Sequence, residues 1–139
     1  MKKQKFIETV LRLVMSFIFL WAFFDKVFGL GFATIADKAW INGGSPTYGF
    51  LSIAAKGPFA SIFHNLAGMP IVDWLFMGGL LFVGLTLLFN KYVKLGCVAG
   101  VLMLVLMYLA LLFPVNNPII DDHIIYALVL LLIAFKAES

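Results

Sequence analysis

Four stretches of this chain, 6–28, 71–89, 93–113 and 119–135, are too apolar and too long for the core of one small water-soluble domain. A helix that crosses the hydrocarbon of a bilayer needs about 20 mainly apolar residues, and these four meet or approach that length. Hydrophobic residues fill 63% of the 139 positions and charged ones only 12%, against roughly 25% charged in soluble domains. The expectation is an all-α integral membrane protein, a four-helix bundle with short interfacial helices between the first and second spans. No Gly/Ser/Pro-rich linker or charge block divides the chain and no repeat of fixed period runs through it, so 1–139 reads as a single membrane domain.

The ends of the spans carry their own signals. Lys2, Lys3 and Lys5 precede the first apolar run in the manner of a secretory signal, but no small-x-small cleavage site closes it, so it reads as a retained helix. Pro114 stops the third span, and Asn117 with Pro118 reads as an N-cap and first helical position for the fourth, making an antiparallel hairpin. Lys2, Lys3, Lys5 and Arg12, then Lys91 and Lys94, then Lys136, all fall at one level of such a bundle. Positive charge marks the cytoplasmic side, so the expected location is the cell membrane, multi-pass, with both termini cytoplasmic. Lys26, Lys38 and Lys56 are a mild exception. The first connection, 29–69, becomes an outer cap, too long for an idle loop. Within it 32–41 reads as a short amphipathic helix, Ser45-Pro46 as the cap and first turn of a second ending at Gly57, and 58–66 as a third.

Ionisable groups carried into a bilayer are costly, and they mark where to look for chemistry. Arg12 and Asp25 are 13 residues apart in one helix, about 20 Å, while the hydrocarbon is about 30 Å thick. Lysine and arginine side chains can reach outward from such depths and aspartate cannot. Asp25 therefore needs a partner, either an ion pair or a ligand. Asp73, Asp121 and Asp122 open helices, where the dipole favours carboxylates. His123 goes further. Asp122 and Tyr126 are spaced i and i+4 and His123 and Tyr126 i and i+3, so a carboxylate, an imidazole and a phenol converge at the outer mouth of the fourth span. That group either ties the helix to its neighbours or exchanges protons with a bound quinone or substrate.

Other candidates weigh less. A His64/His123 haem pair is disfavoured, since neither ring sits in a helix core, and no metal site is expected. Cys97 is the only cysteine, which excludes an intrachain disulfide and a CxxC pair. It lies in the Gly96-Cys97-Val98-Ala99-Gly100 stretch, a GxxxG that permits close helix approach.

Three runs together resemble a known family. They are Trp21-Ala22-Phe23-Phe24-Asp25-Lys26 within 19–32, Asn42-Gly43-Gly44-Ser45-Pro46 within 39–47, and Asn116-Asn117-Pro118 with Asp121-Asp122-His123. Over nearly its whole length the chain is similar to the DoxX/DoxD family of small four-helix membrane proteins. The resemblance implies quinone-linked redox chemistry: DoxD is the membrane subunit of thiosulfate:quinone oxidoreductase, which oxidises thiosulfate to tetrathionate together with a second subunit, DoxA. On that reading Arg12, Lys26 and Lys38 attract a small sulfur anion, and Asp122, His123, Tyr126 and Asp25 handle quinone protons, with Asp25 and Lys26 meeting Asp122 and His123. The cofactor is open beyond a membrane quinone as electron acceptor. The expected partners are the lipid bilayer, a quinone, and a second redox subunit or another copy of the chain, with no nucleic acid. The alternative is a non-enzymatic membrane scaffold or assembly partner of a redox complex. A solute carrier is disfavoured, because four spans without inverted repeats offer little alternating-access machinery.

Overall fold

A computed structural model describes residues 1–137, and among them every regular element is helical. The helices are α1 (Lys2–Phe28), α2 (Ala60–Leu66), α3 (Pro70–Phe89), α4 (Val93–Ala110) and α5 (Asp122–Ala137). Three of them, α1, α3 and α4, are long and apolar enough to cross a membrane. The fourth expected span, α5, has 16 residues, about 24 Å of helix at 1.5 Å per residue.

Each boundary has a local cause. α1 stops at Gly29, whose left-handed φ of 65° lets its N–H bond Asp25 O at 2.8 Å, the conformation glycine adopts at least cost. α3 starts on Pro70, where the missing N–H costs nothing. Two expected ends move. The third span was expected to reach 113 but α4 ends at Ala110, where Leu111 N–H bonds both Met107 O and Tyr108 O at 3.1 Å. The fourth was expected from 119 with Asn117 as its cap. Instead Asn117 closes a turn on itself, its Oδ1 accepting from Ile119 N–H (2.9 Å) and Ile120 N–H (2.7 Å) while Nδ2 donates to Ile120 O (2.6 Å). Asparagine competes in this way with helix initiation. The helix begins after Asp121, whose Oδ1 accepts from His123 N–H at 3.0 Å and Ile124 N–H at 3.4 Å.

The long helices pack in sequence, α1 on α3, α3 on α4, α4 on α5, and α5 back on α1. Between them lies an apolar core that includes Phe19, Met77, Val83, Leu87, Cys97 and Leu130. Lipid tails are as apolar as these side chains, so the association rests on close van der Waals fit. Small residues supply it. A Cβ on Gly96 would lie 1.9 Å from Thr86 Oγ1 of α3, and one on Gly100 would lie 2.6 Å from Leu130 Cδ1 of α5. The GxxxG of α4 thus serves two different neighbours. Where α1 crosses α3, Ser16 Oγ donates to Gly84 O at 2.8 Å, and Leu20 fills the space a side chain on Gly84 would need. The outward faces carry Phe17, Trp74, Leu75, Val98, Leu102 and Leu128, all exposed. Apolar surface on this scale is not left to water, and the helices suit a lipid bilayer.

The connection 29–69 folds over one end. Its expected first helix, 32–41, is two 3₁₀ turns, Ala36–Lys38 and Trp40–Asn42, separated by an extended Ala39. The second is found nearly as expected. Ser45 Oγ accepts Tyr48 N–H at 3.2 Å and opens a short coil that widens into a π turn at Phe50–Ala54. Beyond it, Lys56 N–H bonds Ala110 O at 2.9 Å, satisfying a carbonyl left over at the end of α4. Leu51, Ala55, Phe63 and Ala110 form a small second core beneath.

Candidate functional site

The amino end of α5 carries a carboxylate–imidazole pair at the rim of a cleft. Asp121 stands at the N-cap with Oδ1 committed to backbone N–H groups, and its Oδ2 lies 2.7 Å from Nδ1 of His123. Both side chains are partly buried, at 18% and 19% exposure, which shelters the pair while leaving it reachable. A carboxylate on Nδ1 fixes the ring and leaves Nε2 as the nitrogen open to exchange. The pair borders a cleft of about 370 Å³ lined by Lys56, Asn116, Asn117 and Asp122 among others. Lys56 is the cation of that cleft among the described lining residues. It comes from the outer cap, so cap and α5 build the site together. Tyr108 of α4 donates its hydroxyl to Ile119 O and steadies the turn that carries the asparagines.

The predicted residues divide between this place and others. His123 is at the centre, but its carboxylate is Asp121, which dipole reasoning had set aside as an ordinary cap. Asp122 is exposed at the cleft, and Tyr126 packs against the apolar core. The expected triad of Asp122, His123 and Tyr126 is therefore joined by no hydrogen bond among the described residues. Asp25, 1% exposed, has found its partner in its own chain. Its carboxylate accepts the N–H groups of Ala33 (2.8 Å), Thr34 (3.1 Å) and Phe32 (3.3 Å). Lys26 leans over Phe76 of α3, its Nζ 5.9 Å from the ring centroid. Lys38 is exposed in the cap. Among the described residues, no hydrogen bond or ion pair connects Asp25 or Lys26 with Asp122, His123 or Tyr126. Arg12 lies at the opposite end of the helices, donating through Nη1 to the carbonyls of Leu87 and of Leu88 (3.4 Å for the latter) where α3 ends. It shares no site with His123.

One further carboxylate went unrecognised. Asp73, expected as a dipole-favoured residue in the first turn of α3, is 8% exposed and its Oδ1 takes three donors from the cap. They are Thr47 Oγ1 at 2.6 Å, Ser45 Oγ at 2.7 Å and Thr47 N–H at 3.3 Å. Hydrogen bonds to an ionised acceptor are the strong ones. The visible signal was the Ser45-Pro46-Thr47 run, two hydroxyls on either side of a proline. His64, the second histidine, bonds Ala55 O through Nε2 at 3.0 Å and belongs to the cap. Comparison with protein-family models, curated proteins and solved structures finds no match for the chain.

Proposed function

We propose that this chain is a membrane protein of the DoxX/DoxD type, taking part in quinone-linked oxidation of a small sulfur anion such as thiosulfate. In this reading α5 is a fourth span, the four long helices form an integral bundle in the cell membrane, and both termini are cytoplasmic. The observation that carries it is the sheltered Asp121–His123 pair beside Lys56 at the mouth of α5. Two thiosulfates each give up one electron as an S–S bond joins them into tetrathionate. The quinone takes those two electrons and two protons to become quinol. A second redox subunit passes the electrons on. His123 delivers protons through Nε2 while Asp121 holds the ring by Nδ1. Lys56, with Lys26 and Lys38 nearer the same end of the molecule, raises the local concentration of the anion. Asp122, exposed at the cleft, extends the proton path toward water, while Tyr126 holds α5 against the apolar core. Asp25 acts indirectly by holding the cap that carries Lys38.

The experiment is quinone-analogue reduction by thiosulfate in proteoliposomes of the purified protein, with its co-purifying subunit. His123→Ala should lower the rate by about 10²-fold, the scale of a lost general acid, and Asp121→Asn by less. Wild-type protein that neither binds a quinone nor responds to thiosulfate overturns the reading. A second reading, a non-enzymatic scaffold for a redox complex, is favoured by Asp25 and Asp73, whose carboxylates are both engaged in fastening the cap. A stable oxidoreductase partner whose activity survives Asp122→Asn and His123→Ala would select it.

A further inference from the structure

The larger cleft of the molecule, about 850 Å³, opens at the other end, where α1 and α4 begin and α3 and α5 finish. Its walls include Lys5, Glu8, Arg12, Asn90, Lys94 and Lys136. Cations outnumber acids among these. The one carboxylate among the described lining residues, Glu8, is already engaged by Gln4 Nε2 at 2.9 Å and Lys136 Nζ at 3.4 Å. Arg12 is the distinctive member. It is partly buried, always charged, and carries five N–H donors in a rigid fork. Nη1 serves the carbonyls at the end of α3, while Nη2 and Nε have no protein acceptor among the described residues. Donors of that geometry match the oxygens of a phosphate, in pairs. Apolar side chains, Leu132 and Ile133, complete the wall beside them, so the cleft grades from cationic to hydrocarbon as the boundary of a bilayer does. Basic pockets between helices are a recognised seat for anionic headgroups.

We infer that this cleft binds a phosphate group, held by Arg12 and Lys5, of the kind carried by an anionic phospholipid headgroup. The inference rests on the membrane setting and not on the redox reading, so either can fail alone. The full-length protein is reconstituted in nanodiscs of phosphatidylcholine with phosphatidylglycerol, extracted in mild detergent, and its retained lipid counted by native mass spectrometry. Thermal stability is followed in parallel with phosphatidylglycerol or inorganic phosphate added. Wild type should keep phosphatidylglycerol over phosphatidylcholine by about tenfold, and Arg12→Gln should abolish that preference, as expected on removing a bidentate partner. Lys3→Gln removes the same charge from α1 outside the cleft and should leave the preference within about twofold, since an exposed charge acts only through a screened field. Lys5→Gln, which leaves the contact of Arg12 with α3 intact, should weaken retention severalfold and serves if Arg12→Gln does not fold. Stabilisation by inorganic phosphate alone, lost with Lys5→Gln or Arg12→Gln, would keep the phosphate site and identify its source as the free anion. Equal lipid retention by wild type, Arg12→Gln and Lys5→Gln, with no response to phosphate, overturns the inference.

Discussion

Asp25 and Asp73 sit at the ends of two membrane helices with 1% and 8% of their surface exposed, and neither makes a contact ion pair with a lysine or arginine among the described residues. Each is hydrogen-bonded by uncharged donors from the connection between them. Removing an acceptor leaves those donors stranded. Asp73→Ala should lower unfolding stability in detergent by about 3 kcal/mol, given about 1.5–3 kcal/mol for a hydrogen bond to a charged group. Asp73→Asn, which keeps one acceptor oxygen, should cost less. Circular dichroism through a denaturant titration distinguishes them. At this scale the sequence was partly legible. The need of Asp25 for a partner followed from its depth and short side chain. Its actual donors did not, because backbone N–H groups at Phe32, Ala33 and Thr34 leave no mark in composition or period. The partners of Asp73 lie 26 and 28 residues upstream, a separation that no helical periodicity connects.

Among elements, the three helices long and apolar enough to cross a membrane were the most legible feature, because length and hydropathy alone mark them, and helix ends were the least. The start of α5 shows why. Asn117 and Asp121 are both competent caps, and proline after the first favoured it on local rules. The outcome turned on which side chain found a better use elsewhere. Asn117 turned onto Ile119 and Ile120, while Asp121 gained His123 as well as the helix. The helix expected over 32–41 gives way to two 3₁₀ turns, with the N–H groups of Phe32, Ala33 and Thr34 bonded to Asp25. The hinge of that arrangement is Gly29. A Cβ there would sit 2.5 Å from Ala36 Cα and 2.8 Å from Ile35 O, at a positive φ. Gly29→Ala should therefore cost more than the about 1–2 kcal/mol of the left-handed conformation alone. It should also raise hydrogen exchange at 32–34 while leaving that of α4 unchanged.

For the whole molecule, the consequential element is α5, whose crossing decides whether both ends of the chain share a side. Glu8 near the start of α1 and Lys136 near the end of α5 are 3.4 Å apart, which places those termini together. In a Cys97→Ser background, Lys3→Cys and Ala137→Cys should react with a membrane-impermeant maleimide from the same face, the cytoplasmic one on the orientation proposed above. Asn116→Cys should react from the opposite one. Labelling of Ala137→Cys together with Asn116→Cys would mean that α5 lies on the surface instead of crossing.

The bond from Lys56 N–H to Ala110 O ties the cap to a part of the chain made about 50 residues later. Translation at about 5–20 residues per second delays that partner by several seconds after Lys56 leaves the ribosome. During the interval α1 and α3 can pair, and the early half of the cap can close on Asp25 and Asp73. The half that ends at Gly57 can pack on α2 but has no α4 to fasten to. The cleft beside His123 is thus finished only when α4 and α5 have been made and packed, so a chain stalled before α4 is complete would carry a folded helix pair and no cleft.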